Sequence, residues 1–214
     1  MNAHPTDSAP AEPNVEPAPN HHASHPGFSG LSGLIAAVSF LSGRDEAADL
    51  AIELSRLGPG DHLVDIGCGP GVAAHRARAA GAEVVGVDPA TVMLRVARLR
   101  WPNEPGIDWR IGVAESVPAA DGWAQVVWSL ATVHHWADVD AGLTEARRML
   151  ALGGRLVVLE RRIEDTNAAG KASHGWTPDQ AESFAELCRR HGFHDVTTAM
   201  HERRQTLLSV VAHA

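Results

Sequence analysis

A glycine-rich stretch directly after a short apolar run is the part of this 214-residue sequence whose residue types most clearly indicate ligand binding. Glycines at alternate positions let the backbone turn tightly and come close to a ligand. A dinucleotide, a triphosphate and a ligand without phosphate are all open at this point. The residues of the stretch are Gly67, Cys68, Gly69, Pro70 and Gly71.

The spacing of these glycines departs from the two common phosphate-binding patterns. The dinucleotide pattern G-x-G-x-x-G, counted from Gly67, needs its third glycine where Val72 stands, and here that glycine comes one residue early at Gly71. No G-x-x-x-x-G-K-[ST] pattern occurs, which argues against a triphosphate loop.

Two carboxylates indicate which ligand the turn binds. Asp65 precedes the first glycine, where it would repel a pyrophosphate at the adjacent helix N-terminus and favour a cationic group. Asp88 ends the next apolar run, where a carboxylate accepts hydrogen bonds from both hydroxyls of a ribose. S-adenosylmethionine, an adenosine ligand with positive charge and no phosphate, fits both. The alternative is that the glycines only form a tight turn and Asp88 only caps a helix.

Histidines supply the second kind of chemistry. His134 and His135 follow a predicted strand, at the rim where a substrate would lie, and imidazole titrates near neutral pH. We expect them to act as a general base or a substrate contact, the alternative being a packing role at a helix entry. His21, His22 and His25 have a metal-like spacing, but prolines bracket them, so we expect surface histidines and no metal site.

The polar stretch 161–176, with His174 and Trp176, is predicted to cover the substrate as a lid or insert. The apolar residues 28–41 would close the other side, which favours a small, partly hydrophobic acceptor. Glu160 lies just before the polar stretch. We expect it to pair in solvent with one of the two arginines that follow it, rather than to contact substrate.

Alternating strands and helices position these residues. Five strands alternate with helices, and the chain ends in two strands joined by a short turn, which must pair antiparallel. This predicts an α/β, Rossmann-like fold: a seven-stranded, mostly parallel sheet with a C-terminal antiparallel hairpin and helices on both faces. The predicted strands cover residues 62–67, 82–88, 107–112, 124–130, 153–160, 193–200 and 205–214. The predicted helices cover residues 45–57, 72–80, 91–100, 139–150 and 178–191.

Composition sets the domain organisation and excludes some partners. Residues 1–27 are rich in proline and poor in apolar residues, which predicts a disordered tail; 28–44 form an N-terminal cap segment and 45–214 the domain. The net charge of −8 argues against nucleic acid, and no apolar run is long enough to span a membrane. The two cysteines lack metal-ligand spacing. We expect a cytoplasmic monomer or homodimer that acts on a small molecule.

The sequence resembles the class I S-adenosylmethionine-dependent methyltransferases, and within them the small-molecule type that includes quinone-biosynthesis methyltransferases. The matching stretches occur in the family's order over residues 45–214. They are VDIGCGPG (64–71), GVDPA (86–90), GVAESVP (112–118), VHHW (133–136) and EARRMLALGGRLVVLE (145–160).

The resemblance implies S-adenosyl-L-methionine as cofactor and assigns its contacts. It implies that the backbone of residues 67–71, with Gly67, Cys68, Gly69 and Gly71, faces the methionyl part, and that Asp65 lies near the ammonium. It implies that Asp88 holds the ribose. The remaining implied contacts are Pro89 and Met93 beside the adenine, Ala114 and Glu115 at its edge, and Ser129 and Leu130 near the methyl group.

Two departures from the family pattern keep other functions open. The family often has an aspartate in the adenine loop where Val113 stands, and Phe-Asp where this chain has Trp123 and Ala124. A module that binds the cofactor without catalysis is therefore one alternative. An NAD-type oxidoreductase is another, which the early third glycine opposes.

Overall fold

A computed structural model describes residues 18–23, 44–102 and 104–214. Most of the predicted tail and all of the predicted cap segment except Arg44 lie outside the described residues. The predictions for these segments, His25 included, are therefore not addressed by the structure.

The described residues form one sheet flanked by helices. The strands are β1 (His62–Ile66), β2 (Glu83–Asp88), β3 (Ile107–Ile111), β4 (Ala124–Leu130), β5 (Leu150–Arg161), β6 (His194–His201) and β7 (Leu207–His213). The helices are α1 (Arg44–Ser55), α2 (Val72–Ala79), α3 (Thr91–Arg100), α4 (Val139–Met149) and α5 (Pro178–Arg190). Short 3₁₀ turns cover Val133–His135 and Gly170–Ser173.

The strand order across the sheet is β3-β2-β1-β4-β5-β7-β6. The first five strands pair in parallel, and β7 pairs antiparallel with both β5 and β6. Of these seven strands, β7 runs in the opposite direction to the rest. β6 pairs with the outer side of β7 and runs in the same direction as β5. The predicted seven-stranded, mostly parallel sheet with a C-terminal antiparallel hairpin is confirmed.

Apolar side chains cover both faces of the sheet, because successive residues of a strand point to opposite sides. On one face the core includes Leu143 of α4 and Phe184 of α5. On the other it includes Leu50 of α1 and Ala77 of α2, packed around Trp128 of β4. None of the helices in the described ranges is long and apolar enough to cross a membrane.

The boundary between α4 and β5 differs from the prediction of a helix to residue 150 and a strand from 153. The helix ends at Met149 and the strand begins at once at Leu150. The pairing of β5 with β4 shifts register, from Ala124 opposite Leu150 to Val126 opposite Arg155. This irregularity takes up the extra residues, including Gly153 at φ 74°.

Residues 18–23 form a turn packed against the domain, although the sequence places them in the predicted disordered tail. The Trp176 indole N–H donates to the Pro19 carbonyl at 2.7 Å, and Gln180 Nε2 donates to the Ala18 carbonyl at 2.7 Å. The His22 amide donates to the His134 carbonyl at 2.8 Å. For these six residues the expectation of disorder is wrong, because side chains distant in sequence satisfy their backbone groups.

The turn gives a first testable prediction, the loosening of residues 18–23 by Gln180→Glu. The new carboxylate keeps an oxygen for the Thr177 amide, which caps α5, but faces the Ala18 carbonyl without a donor. Losing this bond costs about 1–3 kcal/mol, so we expect the His22 amide to exchange hydrogen roughly 5-fold to 150-fold faster. Mass-spectrometric hydrogen exchange measures it, and the same change at exposed Gln205 is the control. Equal exchange in both variants would contradict this role of Gln180.

Candidate active site

The predicted ligand-binding residues come together at the carboxyl ends of β1, β2 and β4. Strand order reverses between β1 and β4, because β2 and β3 lie on one side of β1 and β5 lies on the other side of β4. Open α/β sheets bind ligands in the crevice at this point. Asp65 and Asp88 lie at or near the ends of β1 and β2, and Ser129 lies near the end of β4.

The glycine loop follows β1 and is held against the end of β2. The amides of Gly67 and Cys68 both donate to the Val87 carbonyl, at 2.8 and 3.0 Å. Gly67 has φ 74°, and a Cβ there would lie 2.8 Å from the Cβ and Oγ1 atoms of Thr132. Only glycine fits at this position without strain, because both the backbone angle and the space exclude a side chain.

Gly71 explains the early third glycine in physical terms. It has φ 83° and directly precedes α2. A Cβ there would lie 2.5 Å from the Trp109 ring, which crosses from β3. Glycine at this position therefore lets the aromatic ring pack beside the start of the helix.

Asp88 joins the glycine loop to the turn before α3. Its Oδ2 atom accepts from the Gly69 amide at 2.9 Å, and its Oδ1 atom accepts from the Ala90 amide at 2.8 Å. The carboxylate is 7% exposed, and a carboxylate has about four acceptor sites in all. Asp88 therefore does more than cap a helix, because it orients the loop that faces the crevice. Asp65, 1% exposed, adds a second carboxylate beside this loop.

The loop after β4 connects the glycine loop to the histidines. Thr132 Oγ1 lies 2.5 Å from Ser129 Oγ and donates to the Ile66 carbonyl at 3.2 Å. Ala131 has φ 59°, a left-handed conformation that non-glycine residues rarely adopt. Sequence reasoning missed Ala131 and Thr132, since nothing in their residue types marks them.

The other residues that the resemblance assigns to the cofactor lie around the same edge. Met93, Ala114 and Leu130 are buried, and Pro89 is exposed just after β2. Glu115 Oε1 accepts from the amide of Asp138, the N-cap residue of α4. Glu115 therefore also fixes the start of a helix.

Glu160 lies in the interior, so the expectation that it pairs with an arginine in solvent is wrong. It is 0% exposed, and its Oε2 atom lies 2.9 Å from His134 Nδ1. Arg161 donates instead to the His174 carbonyl, at 3.0 and 2.9 Å, and Arg162 pairs with Glu164 at 2.9 Å. The strand turns Glu160 inward, where the imidazole is its partner.

The segment predicted as a lid, residues 161–176, contains one residue of the hydrophobic core and one that lies beside the other histidines. Trp176 is fully buried and packs against Phe184, with ring centroids 5.0 Å apart, so it is not a lid residue. His174 instead lies against the 3₁₀ turn after β4. Its ring centroid is 5.1 Å from that of His135 and 5.4 Å from that of His134.

The histidines form a compact group at one side of the site. Burial, followed by the neighbouring imidazoles of His134, His174 and His22, lowers the pKa of His135 to about 3. His135 is therefore neutral near pH 7 and is a very weak base there. Sequence reasoning found His134 and His135 but missed their grouping with His174, because His174 is 39 or more positions away and no spacing pattern joins it to them.

Comparison with known proteins identifies the type of domain. Residues 64–158 match the methyltransferase domain family model. The chain is 37% identical over 171 residues to a ubiquinone biosynthesis O-methyltransferase of Cereibacter sphaeroides, covering 72% of this chain and 66% of that protein. Residues 64–158 therefore form a methyltransferase domain, and the chain is similar to class I S-adenosylmethionine-dependent methyltransferases. The chain spans only part of the curated proteins it matches, with 30% to 66% of their length covered in eight of them.

Solved structures confirm the methyltransferase fold. A phosphoethanolamine N-methyltransferase 2 of Haemonchus contortus, in complex with S-adenosyl-L-methionine, aligns with a TM-score of 0.71 at 15% identity, covering 94% of this chain and 61% of that chain. The [4+2]-cyclase SpnF aligns with a TM-score of 0.67 at 18% identity, covering 79% and 80%. Since a protein described as a cyclase shares it, the fold alone does not determine the reaction.

The residues at the carboxyl edge of the sheet fit S-adenosylmethionine as the methyl donor. The glycine loop leaves no space for a Cβ at Gly67, and the nearly buried carboxylates of Asp65 and Asp88 lie beside this loop. These carboxylates suit an ammonium group and ribose hydroxyls, whereas a pyrophosphate would be repelled.

Proposed function

We propose that this chain transfers a methyl group from S-adenosyl-L-methionine to a small, partly hydrophobic molecule by in-line displacement. The observation that carries the proposal is the contact of the glycine loop with the loop that bears the histidines. Thr132 packs against Gly67, and His134 follows two residues later. This contact supports a donor crevice that lies next to polar side chains suited to an acceptor.

We assign the donor contacts to the residues at the carboxyl edge of the sheet. Asp65 pairs with the ammonium group, Asp88 accepts from the ribose hydroxyls, and the amides of the loop orient the methionyl part. Support comes from the burial of both carboxylates and from the bond between Asp88 and Gly69. The adenine contacts are assigned to Pro89, Met93, Ala114 and Glu115, and the contacts near the methyl group to Ser129 and Leu130.

When bound, S-adenosylmethionine supplies a methyl group on a sulfonium, which is already activated for displacement. The chain therefore mainly has to hold the acceptor atom in line with that methyl group and exclude water. Such positioning contributes up to about 7–11 kcal/mol in favourable cases.

We assign His134 and His135 to the acceptor side. Glu160 holds the His134 ring in one orientation through Nδ1, which leaves Nε2 to meet a polar group of the acceptor. Because the pKa of His135 is lowered to about 3, its ring suits a neutral contact with the acceptor rather than a general base. The similarity to a ubiquinone biosynthesis O-methyltransferase supports an acceptor that is small and partly hydrophobic.

Incubation with methyl-labelled S-adenosylmethionine tests this function. We expect label to enter an organic-soluble product when the chain is mixed with a panel of hydroxylated quinones and phenols or with small-molecule extracts. At a cofactor concentration near the Kd of the original chain, Asp88→Ala should strongly reduce the transfer, and Glu83→Ala, at the opposite end of the same strand, should leave it intact. Cofactor binding without label transfer to any acceptor would instead support a non-catalytic binding module.

A further inference from the structure

Three histidines from two separate loops converge on the acceptor side. His134 and His135 belong to the 3₁₀ turn after β4, and His174 belongs to the segment after β5. Each offers one ring nitrogen, and these three nitrogens lie within 4.8 Å of one another. We propose that His134, His135 and His174 bind one divalent transition-metal ion. Imidazole nitrogen suits Zn²⁺, Cu²⁺ and Ni²⁺, and Zn²⁺ is the probe we choose.

His134 carries the argument, because one of its nitrogens is held and the other is not. Nδ1 lies 2.9 Å from the Glu160 carboxylate, which is 0% exposed. Nε2 is buried and has no hydrogen-bond partner among the residues that the structure describes, and His134 as a whole is 2% exposed. A carboxylate that orients a histidine through one nitrogen while the other ligates is the common arrangement around metal ions.

The other two histidines are also held in place by their surroundings. A hydrogen bond with the His22 backbone fixes His135. The segment of His174 is fixed because Arg161 donates two hydrogen bonds to its carbonyl, at 3.0 and 2.9 Å. Each histidine of the trio therefore has a neighbouring group that fixes its ring or its backbone.

The spacing requires a small closure around an ion. Zinc–nitrogen bonds of about 2.0–2.1 Å place the nitrogens of a tetrahedral site about 3.3 Å apart. From the observed upper limit of 4.8 Å, side-chain rotation has to shorten the longest separation by roughly 1.5 Å.

Three histidine ligands leave a fourth coordination position, as in catalytic zinc sites. An ion there would bind water or an acceptor oxygen, so His134 and His135 would reach the acceptor through the metal. This last step rests on the proposed function, whereas the metal binding itself does not.

The histidines of the 18–23 turn surround the site instead of ligating. His22 Nε2 lies 3.1 Å from Ser173 Oγ, and His21 Nε2 lies 2.8 Å from the Ser173 carbonyl. The His22 ring stacks on His174, with centroids 4.6 Å apart. These contacts cover the trio from one side and limit its exposure to water.

Metal titration tests the site without methyl donor or acceptor, so its outcome is independent of methyl transfer. The full chain, without a histidine tag and treated with chelator, is titrated with Zn²⁺ in a calorimeter and with Co²⁺ in an absorption spectrometer. We expect one ion per chain, micromolar or tighter binding, and a visible Co²⁺ band of four-coordinate intensity. Thermal unfolding of the same samples shows whether each variant is folded.

Three variants distinguish the trio from surface histidines. His174→Ala should weaken Zn²⁺ binding by about 100-fold or more, and Glu160→Gln by about 10-fold to 100-fold through the orientation of His134. His194→Ala, on exposed β6, should bind like the original chain. Absence of Zn²⁺ binding in the original chain, or equal binding by His174→Ala and His194→Ala, would overturn the proposal.

Discussion

Asp88→Ala should lower the affinity for S-adenosylhomocysteine by at least about 100-fold. The carboxylate is assigned to two ribose hydroxyls, and losing charged hydrogen bonds at about 1.5–3 kcal/mol each accounts for a fall of this size. The variant also frees the amides of Gly69 and Ala90, which Asp88 holds at 2.9 and 2.8 Å. Calorimetric titration of the folded variant measures the affinity.

Two further variants separate the contributions of Asp88. Glu83→Ala removes a carboxylate from the other end of β2, where the side chain is 65% exposed, and should leave the affinity unchanged. Asp88→Asn keeps an oxygen for one loop amide but removes the charge, and should give an intermediate loss. An Asp88→Ala chain that binds S-adenosylhomocysteine as tightly as the original would rule out the ribose assignment.

Gly67→Ala should both destabilise the domain and weaken cofactor binding. The left-handed backbone at φ 74° costs a non-glycine residue about 1–2 kcal/mol, and overlap with Thr132 adds about 1–3 kcal/mol. At roughly 2–4 °C per kcal/mol, we expect the midpoint of thermal unfolding to fall by about 5–15 °C. Cofactor affinity should fall more than about 10-fold, because the amides of the loop move.

Gly153→Ala is the matched control for this prediction. Gly153 has the same φ of 74°, but a Cβ there would meet nothing within 4 Å. It lies in β5 at the end of the sheet away from the crevice. The control should therefore show only the backbone cost and unchanged cofactor affinity, and equal losses in the two variants would show that Thr132 does not confine the loop.

The fold was predictable because its signals are local. Apolar runs, turn residues and helical periodicity repeat along the chain, and each predicted strand matches an observed one to within a few residues. The early glycine at position 71 was also informative, since it marked the departure from the dinucleotide pattern. Its cause, the packing of Trp109 from β3, was not visible in the sequence.

The features that sequence reasoning missed depend on contacts between distant segments. The burial of Glu160 depends on His134, which comes from a different strand end. The order of residues 18–23 depends on Trp176 and Gln180, more than 150 positions away. Ala131 gives no sign of its left-handed backbone, because alanine ordinarily prefers helical angles.

Direct binding of S-adenosylhomocysteine compared with NAD tests the central claim most directly. The glycine loop and Asp88 are proposed to select an adenosine ligand without phosphate. We predict that S-adenosylhomocysteine at 100 times its Kd stabilises the chain against unfolding by about 2.7 kcal/mol, while NAD at the same concentration does not. Stabilisation by NAD without stabilisation by S-adenosylhomocysteine would contradict the account.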